Sequence, residues 1–300
     1  MLSSHCYLLP HEKEILHGIN PEDCQITPWA IEKFNIKKHW LCSRGENIKV
    51  AVIDTGCDLD HVDIKANLLK GYDFVNKHSY PDDDNGHGTH VAGTIAASDN
   101  SLGMVGIAPD AKIIPIKCLD KDGGGSTRLI CKGIDFAIDA GADIITMSLG
   151  SKAASLDMLR SVKKASTAGI VVCCAAGNSG NSHDLLYPAN FPETISIGSI
   201  SRRLKVSRFS CCGNMLDFLA PGEDILSATP NNTYSKMNGT SMAAPFAAGC
   251  MALYMSKYSK KYSREDIVNI FKEYSEELDD ARYEGKKEYS GHGVILPIPC

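Results

Sequence analysis

Residues 238–245 read Asn-Gly-Thr-Ser-Met-Ala-Ala-Pro, and this stretch decides how the chain folds. Its Gly-Thr-Ser turn leads into small and apolar residues that continue through Leu253 and Tyr254 at helical spacing. The sequence therefore predicts a buried helix with the hydroxyl of Ser241 in its first turn. Free N–H groups and the positive end of the helix dipole favour negative charge there. A serine is a weak nucleophile unless a neighbouring base takes its proton, so chemistry at Ser241 would require such a base elsewhere in the chain.

The composition of the 300 residues is that of an ordinary globular protein. Hydrophobic residues make up 43% and charged residues 22%, which allows a sizeable core and is unlike a disordered chain. The net charge of −5 gives no polybasic surface, so we expect neither nucleic acid nor membrane as a partner. No apolar run reaches the ~18 residues of a membrane span, and the first residues lack the features of a secretory signal. We therefore expect a cytoplasmic protein.

The twelve cysteines are distributed unlike a disulfide framework. Cys173 and Cys174 are adjacent, as are Cys211 and Cys212, and no C-x-x-C motif is present. This pattern favours free, buried thiols in a reducing compartment, and it offers no ligand pair with the usual spacing of a zinc site.

Apolar, β-branched strands alternate with helices from residue 25 onward. The predicted strands lie at 48–53, 112–118, 143–147 and 170–175, and the predicted helices at 87–96, 127–140, 153–168, 242–258 and 264–274. Continuous apolar strands that alternate with helices indicate a parallel sheet covered on both faces. We predict one α/β domain over residues 25–300, preceded by a short, polar, irregular extension at residues 1–24, which we call the leader.

Three further motifs supply what the serine lacks. Asp54 ends the first predicted strand in Asp-Thr-Gly, where open α/β sheets place ligand-binding residues. His87 lies between two glycines at the start of a helix, and Asn178 follows Ala-Ala-Gly at a strand end. Each motif alone has an ordinary structural interpretation. Together with Ser241 they provide the acid, base, nucleophile and oxyanion donor that amide hydrolysis needs.

These motifs resemble, in their order along the chain, those of the subtilisin family of serine proteases. The matching segments are 54–56, 87–93, 148–150, 175–178 and 239–245, and the resemblance covers about residues 25–300. It implies a three-layer αβα fold with a mostly parallel central sheet and a serine endopeptidase that cleaves extended polypeptides. It also implies that Asp54 orients His87, that His87 is the base and then the acid, that Ser241 attacks, and that Asn178 stabilises the oxyanion.

The resemblance further implies a substrate groove in which two segments sandwich an extended peptide by strand addition. Leu186 stands where many relatives have a smaller residue, and Ser179 where relatives often carry Glu. We therefore expect a shortened, uncharged pocket that prefers medium-sized apolar residues before the scissile bond. The implied substrate-binding residues are Gly123, Gly124, Gly125, Ser148, Leu149, Gly150, Ala175, Gly177 and Leu186.

A structural calcium ion is also implied by the resemblance, since hard oxygen ligands suit calcium. A plain polar loop is the alternative interpretation of the same residues. The acidic run at 82–84 is expected to be a solvated face rather than a second metal site. The implied calcium ligands are the side chains of Gln25, Asp63 and Asn100 and the backbone carbonyls of Ser98, Leu102 and Met104.

The leader resembles the short extension of intracellular subtilisins, which lies across the active site and keeps the zymogen inactive until it is cut. Leu8, Leu9 and Pro10 match its hydrophobic-proline element loosely. A proline has a fixed φ and no N–H, so the leader could fill the groove yet present its peptide bond badly for attack. A disordered tail is the alternative, and residues 25–29 look like the mature N-terminus of secreted relatives. Because intracellular relatives are often dimers, a homodimer is a further expectation.

Two other functions are compatible with this scaffold. A catalytically inactive pseudoprotease would only bind peptides, but all four chemical positions are intact. A peptide ligase would need a changed nucleophile or a disturbed helix start, and both Ser241 and Pro245 are present.

Overall fold

The computed structural model of the chain describes residues 5–16, 24–180, 185–258, 261–280, 282–283 and 285–299. The strands of this part are β1 (His5–Leu8), β2 (Glu12–Ile15), β3 (Lys49–Asp54), β4 (Tyr72–Asp73), β5 (Lys112–Lys117), β6 (Gly124–Ser126), β7 (Ile144–Met147), β8 (Leu149–Gly150), β9 (Val171–Ala175), β10 (Ile195–Ile200), β11 (Phe218–Pro221), β12 (Ile225–Thr229) and β13 (Thr233–Asn238). The α-helices are α1 (Trp29–Lys33), α2 (His87–Ala96), α3 (Thr127–Asp139), α4 (Leu156–Thr167), α5 (Thr240–Tyr258), α6 (Arg264–Tyr274) and α7 (Lys287–Ser290).

Seven strands form a central sheet in the order β11-β10-β9-β7-β3-β5-β4, and every neighbouring pair is parallel. Strands β7 and β9 are buried at every position, as the continuous apolar runs predict for strands covered on both faces. Successive residues point to opposite faces, so β3 places Val50 and Val52 in one apolar cluster and Ala51 and Ile53 in another.

Each face of the sheet is covered by its own pair of helices. On one face α2 and α5 pack against each other and share a core with Val50, Val52 and Ile113. On the other face α3 contributes Ile130 and Ile134 to a core shared with α4. The result is a three-layer α/β fold with a parallel central sheet, and the predicted fold class is confirmed.

The parallel strands bring several motifs to one edge of the sheet. Strand β3 ends at Asp54, β7 is followed by Ser148, and β9 is followed by Gly177 and Asn178. Ligand sites of open parallel sheets lie at the carboxyl ends of their strands, so we expect the functional site at this edge.

The leader differs from the irregular segment that the sequence predicts. Within its described residues, 5–16 and 24, β1 pairs antiparallel with both β6 and β8, and β2 pairs antiparallel with β13. Both strands obtain their hydrogen bonds from edges of the domain, and no periodicity within the leader itself signals that pairing. The predicted boundary after residue 24 stays a prediction, and residues 1–4 and 17–23 lie outside the described part.

The thiols largely follow the sequence expectation. Cys118, Cys173, Cys174 and Cys250 are buried and form no disulfide. Cys42 is disulfide-bonded, so the expectation of free thiols is wrong at that position. Across the described ranges, no helix is both long enough and apolar enough to cross a membrane.

Candidate active site

Asp54 and His87 form a buried pair at the carboxyl edge of the sheet. His87 Nδ1 lies 2.8 Å from Asp54 Oδ1, and both side chains are almost fully shielded from solvent. Asp54 Oδ1 also accepts a hydrogen bond of 2.8 Å from the backbone N–H of Thr55. The carboxylate of Asp54 at Nδ1 holds the imidazole of His87 in one orientation, which leaves Nε2 directed away from Asp54.

The Asp-Thr-Gly and His-Gly-Thr motifs are in direct contact. The backbone N–H of Gly88 donates to Thr55 Oγ1 at 2.9 Å. A Cβ atom at residue 88 would lie 2.1 Å from the carbonyl oxygen of Gly56, so only glycine fits at this position. The glycine after His87 is therefore what lets α2 approach the end of β3 closely enough for the Asp54–His87 contact.

Asp83 is a site residue that the sequence interpretation missed. Its Oδ1 accepts hydrogen bonds from Thr55 Oγ1 at 2.8 Å and from the N–H of Gly86 at 2.9 Å. Its Oδ2 accepts two more from Thr89, at 2.9 Å from the N–H and 2.6 Å from the hydroxyl. Burial raises the pKa of this carboxyl, but the hydrogen bonds from Gly86 and Thr89 outweigh it and hold the pKa below its ordinary value.

The acidic run is thus not a solvated face throughout. Asp82 and Asp84 are exposed, whereas Asp83 is buried and ties the start of α2 to the end of β3. Asp83 lies three residues before Gly86, the N-cap of α2, and therefore outside the position where a helix-start pattern would reveal it.

Ser241 lies in the first turn of α5, four residues before Pro245. Because proline has no N–H, the carbonyl of Ser241 lacks its usual partner within the helix. Ser148 Oγ donates to that carbonyl at 2.9 Å, and Ser241 Oγ donates in turn to the carbonyl of Ser148 at 3.2 Å. His87 Nε2 is buried and has no hydrogen-bond partner among the described residues.

Thr240 fixes the orientation of the Asn178 amide. Asn178 Oδ1 accepts from the N–H of Thr240 at 2.9 Å and from its hydroxyl at 2.8 Å. The amide nitrogen therefore points into the groove, where it donates to the carbonyl oxygen of Pro10 at 2.7 Å. A fixed amide donor beside a serine at a helix start can stabilise negative charge on a carbonyl oxygen.

The leader occupies the groove between the two segments that the sequence identifies as substrate-binding. His5, Cys6 and Tyr7 pair with residues 124–126 of β6, and Tyr7 and Leu8 pair with Gly150 and Leu149. The N–H of Leu8 also donates to the carbonyl of Gly123 at 2.9 Å. The backbone of the groove thus holds an extended peptide by strand addition.

Leu9 enters the pocket formed beside Gly150 and Leu186. Its side chain is only 2% exposed, and a Cβ atom at residue 150 would lie 3.1 Å from Leu9 Cδ2 and 2.9 Å from Leu186 Cβ. Gly177 closes the pocket, since a Cβ there would lie 3.1 Å from Leu186 Cγ. The buried Ala175 ends β9 just before this pocket.

His11 follows Pro10 and lies against the imidazole of His87. The ring centroids of His11 and His87 are 5.0 Å apart, and His11 Nδ1 lies 3.1 Å from the carbonyl oxygen of Leu9. Burial, and next the proximity of His87, lower the pKa of His11 from its ordinary value.

The residues predicted to hold calcium lie together around Asp63. Asp63 Oδ2 accepts from the N–H of Met104 and from Tyr234, both at 2.9 Å, while Oδ1 is buried without a partner among the described residues. The Gln25 amide contacts the carbonyl of Ser98 at 3.0 Å and Asn100 Oδ1 at 3.4 Å, and the N–H of Leu102 also donates to Asn100 Oδ1 at 2.9 Å. In the described part no three His, Cys, Asp or Glu residues form a metal-binding group.

A family model described as "Subtilase family" matches residues 45–293. The chain belongs to the subtilase family. This subtilase is 44% identical over 246 residues to an "Intracellular serine protease" of Paenibacillus polymyxa, covering 79% of this chain and 76% of the relative. It is 43% identical over 253 residues to the "Major intracellular serine protease" of Bacillus subtilis (strain 168), covering 81% and 79%. It is 42% identical over 246 residues to "Subtilisin DY" of Bacillus licheniformis, covering 81% and 89%.

The predicted resemblance is therefore confirmed, and the chain is a serine-type endopeptidase of the subtilase family. The structure brings Asp54 into contact with His87 and gathers Ser241, Ser148 and Asn178 at the same edge of the sheet. Ser241 Oγ and His87 Nε2 do not form a hydrogen bond in this structure, because Ser241 Oγ donates to the carbonyl of Ser148 instead.

Proposed function

We propose that this subtilase hydrolyses extended polypeptides with Asp54, His87 and Ser241 through an acyl-enzyme. The Ser241 oxygen attacks the carbonyl carbon of the scissile bond while His87 Nε2 accepts the hydroxyl proton. His87 then gives that proton to the departing amine, and Asp54 stabilises the imidazolium in between. In the second half, His87 takes a proton from water as the water attacks the acyl-enzyme, and the proton returns to the Ser241 oxygen as the carboxylic acid product leaves. Asn178 Nδ2 and the N–H of Ser241 donate to the oxyanion. The buried 2.8 Å contact between Asp54 and His87 is the observation that carries this proposal.

We also propose that the leader inhibits the enzyme until it is cut. In a productive complex, one residue fills the pocket with its side chain and gives its own carbonyl to the oxyanion donor. Here Leu9 fills the pocket, but the carbonyl at Asn178 belongs to Pro10, the next residue along. The carbonyl of Leu9 lies near His11 instead. The leader is therefore bound one residue out of register for cleavage, which supports inhibition.

Intact mass followed over time, in calcium, tests both proposals on the full chain. We expect the wild type to lose a leader-length N-terminal segment and then to gain activity on an unfolded protein substrate. The Ser241→Ala variant should keep its full length under the same conditions, because self-cleavage needs the nucleophile. Loss of the same segment from both chains would overturn autocatalytic processing. A wild type that stays whole and does not react with a fluorophosphonate would favour the pseudoprotease.

We propose that Gln25, Asp63, Ser98, Asn100, Leu102 and Met104 hold a structural calcium ion. The support is twofold: Asp63 Oδ1 is buried without a partner among the described residues, and the oxygens of Ser98 and Asn100 lie at the Gln25 amide. Amide nitrogen and oxygen are interchangeable by rotation, so Gln25 can present oxygen to a cation. Calcium should raise the Tm of the wild type and leave the Tm of Asp63→Asn nearly unchanged. Asp60→Asn, at an exposed carboxylate, is the control that should keep the full calcium effect.

We propose an intracellular location, supported by relatives whose names contain the word "intracellular". Fractionation of the source cells, with the protein in the soluble internal fraction, is the expected result. Recovery from the culture medium would contradict it. The homodimer stays a prediction, which light scattering on the purified chain can test.

A further inference from the structure

Beyond the active site the leader continues as a strand along the edge of β13. Strand β2 pairs Glu12 with Asn238, Lys13 with Met237 and Glu14 with Lys236. Just after the strand, the N–H of Leu16 donates to the carbonyl of Tyr234 at 3.1 Å. The enzyme therefore has a preformed edge that accepts extended chain on the far side of the catalytic serine.

Two acidic side chains of this strand have matching partners on β13. Glu12 Oε2 accepts a hydrogen bond of 2.8 Å from Asn238 Nδ2. Glu14 is directly opposite Lys236, and side chains at opposite positions of an antiparallel pair point to the same face. Opposite charges in this arrangement attract, whereas a basic residue at the place of Glu14 would be repelled by Lys236.

A groove rich in cations begins beside Glu12. Its volume is about 620 Å³. Arg202, Arg203 and Arg208 are exposed and form no salt bridge within the part of the chain that the structure describes. The chain as a whole has a net charge of −5, so this local excess of positive charge stands out from the remaining surface. The charged residues that line the groove are Arg202, Arg203, Lys205, Arg208, Arg282, Glu12, Glu223 and Asp224.

We propose that, once the leader is gone, the edge of β13 and this groove select substrates with acidic residues after the scissile bond. The inference rests on the proposed protease function. Asn178 holds the carbonyl of Pro10 where the scissile carbonyl of a substrate would lie, so Glu12 and Glu14 occupy the second and fourth positions after that carbonyl. A substrate acid at the second position meets Asn238 and the arginines, and one at the fourth position meets Lys236.

Quenched fluorescent peptides test this selection on the enzyme that has processed its own leader. The peptides share one sequence, with Leu before the scissile bond, and carry Glu, Gln or Lys at both the second and fourth positions after it. We expect kcat/KM to fall in the order Glu, Gln, Lys, by about tenfold in all, because several exposed charge pairs contribute modestly each. The difference should shrink at about 1 M salt, where exposed charges are screened.

Charge reversal then assigns the effect to this surface. Lys236→Glu and Arg203→Glu should each reduce or invert the preference for Glu over Lys. Lys257→Glu makes the same change of charge at the opposite end of α5 from Ser241 and should leave the preference unchanged. A p-nitroanilide substrate has no residue after the scissile bond, so its kcat/KM should be equal in all four enzymes.

The two assays separate the failure of this inference from the failure of the proposed function. If the p-nitroanilide is not cleaved, the protease mechanism itself is wrong. If it is cleaved while the three peptides have equal kcat/KM, acidic selection is overturned. It is overturned equally if Lys236→Glu weakens inhibition by a leader peptide but changes no substrate preference, because the surface would then serve the leader alone.

Discussion

Ser148 and Ser241 exchange two hydrogen bonds, each donating its hydroxyl to the backbone carbonyl of the other. The bond to the Ser241 carbonyl replaces the one that Pro245 cannot make within α5. The bond from Ser241 Oγ engages the hydroxyl that would have to turn to His87 Nε2 in the proposed mechanism, and Nε2 has no partner among the described residues. The same pair of residues therefore supports the helix start and fixes the orientation of the Ser241 hydroxyl.

Replacing Ser148 by Ala should leave the buried carbonyl of Ser241 without a partner. We expect a loss of about 1–3 kcal/mol in the free energy of unfolding, measured by urea denaturation on the Ser241→Ala background to prevent self-digestion. The matched control is Pro245→Ala, which restores a helical N–H to that carbonyl. Ser148→Ala should cost clearly less in the presence of Pro245→Ala, and equal costs in both backgrounds would contradict this explanation.

Asp83→Asn should weaken the link between the end of β3 and the start of α2, although Asp83 itself is hydrogen-bonded to these two segments and not to Ser241. The carboxylate accepts five hydrogen bonds, the fifth from the N–H of Asn85 at 3.0 Å, and an amide cannot accept them all. We therefore expect a loss of about 2–3 kcal/mol in unfolding free energy together with a lower kcat. Because folding lowers the pKa of Asp83, its contribution is complete above the ordinary carboxyl pKa of about 4 and is lost as pH falls through the folded value. The exposed Asp82→Asn is the control and should change neither quantity.

Binding of the leader should weaken in mild acid because of His11. Its pKa is lowered when it is docked against His87, so the docked leader binds fewer protons than the free one. The docking contribution of His11 is therefore present above its ordinary pKa of about 6.5 and decreases as pH falls below that value. Asp54 acts against this effect and Lys13 acts with it.

The measurement is the inhibition constant of a peptide of residues 5–16 on the processed enzyme. The pH is varied from about 7.5 to about 5.5, a range that brackets the ordinary histidine pKa of about 6.5. A peptide with His11→Gln has the same other titrating groups and serves as the control. As pH falls, the inhibition constant of the His11 peptide should rise relative to that of the His11→Gln peptide. A ratio independent of pH would exclude His11 as the cause.

The chain pattern predicted the sheet strands β3, β5, β7 and β9 and the helices α2, α3 and α6 to within about two residues, because their apolar spacing is local information. It did not predict β4, β10 and β11, which complete the central sheet. It also pointed to Asp54, His87, Ser241 and Asn178, whose motifs are compact and which the fold places at one edge of the sheet, while their catalytic roles stay a prediction. Asp83 was missed because its role depends on donors from two separate segments, and a carboxylate in an acidic run gives no sign of burial. The strands of the leader were missed because their partners lie more than 100 residues away in sequence.

Leu186→Gly should widen the pocket that Leu9 fills. Leu186 lies against both Gly150 and Gly177, so removing its side chain opens space at the base of the groove. We expect kcat/KM for peptides with Phe before the scissile bond to rise several-fold relative to Leu, since a large apolar side chain gains burial. Peptide-library profiling measures this ratio. A dominant Lys or Arg preference in the wild type would contradict an uncharged pocket.

Pro10→Ala should convert the leader from an inhibitor into a substrate. Alanine has an N–H and a freer φ, so the chain after Leu9 can relax and bring the carbonyl of Leu9 to Asn178, in register with the filled pocket. We expect cleavage after Leu9 and a shorter lag before activity, by about tenfold or more, because a correctly positioned bond reacts far faster than a misplaced one. Intact mass identifies the new product, and the double variant with Ser241→Ala should show none. An unchanged lag with no cut after Leu9 would mean that the misplaced register is not what protects the leader.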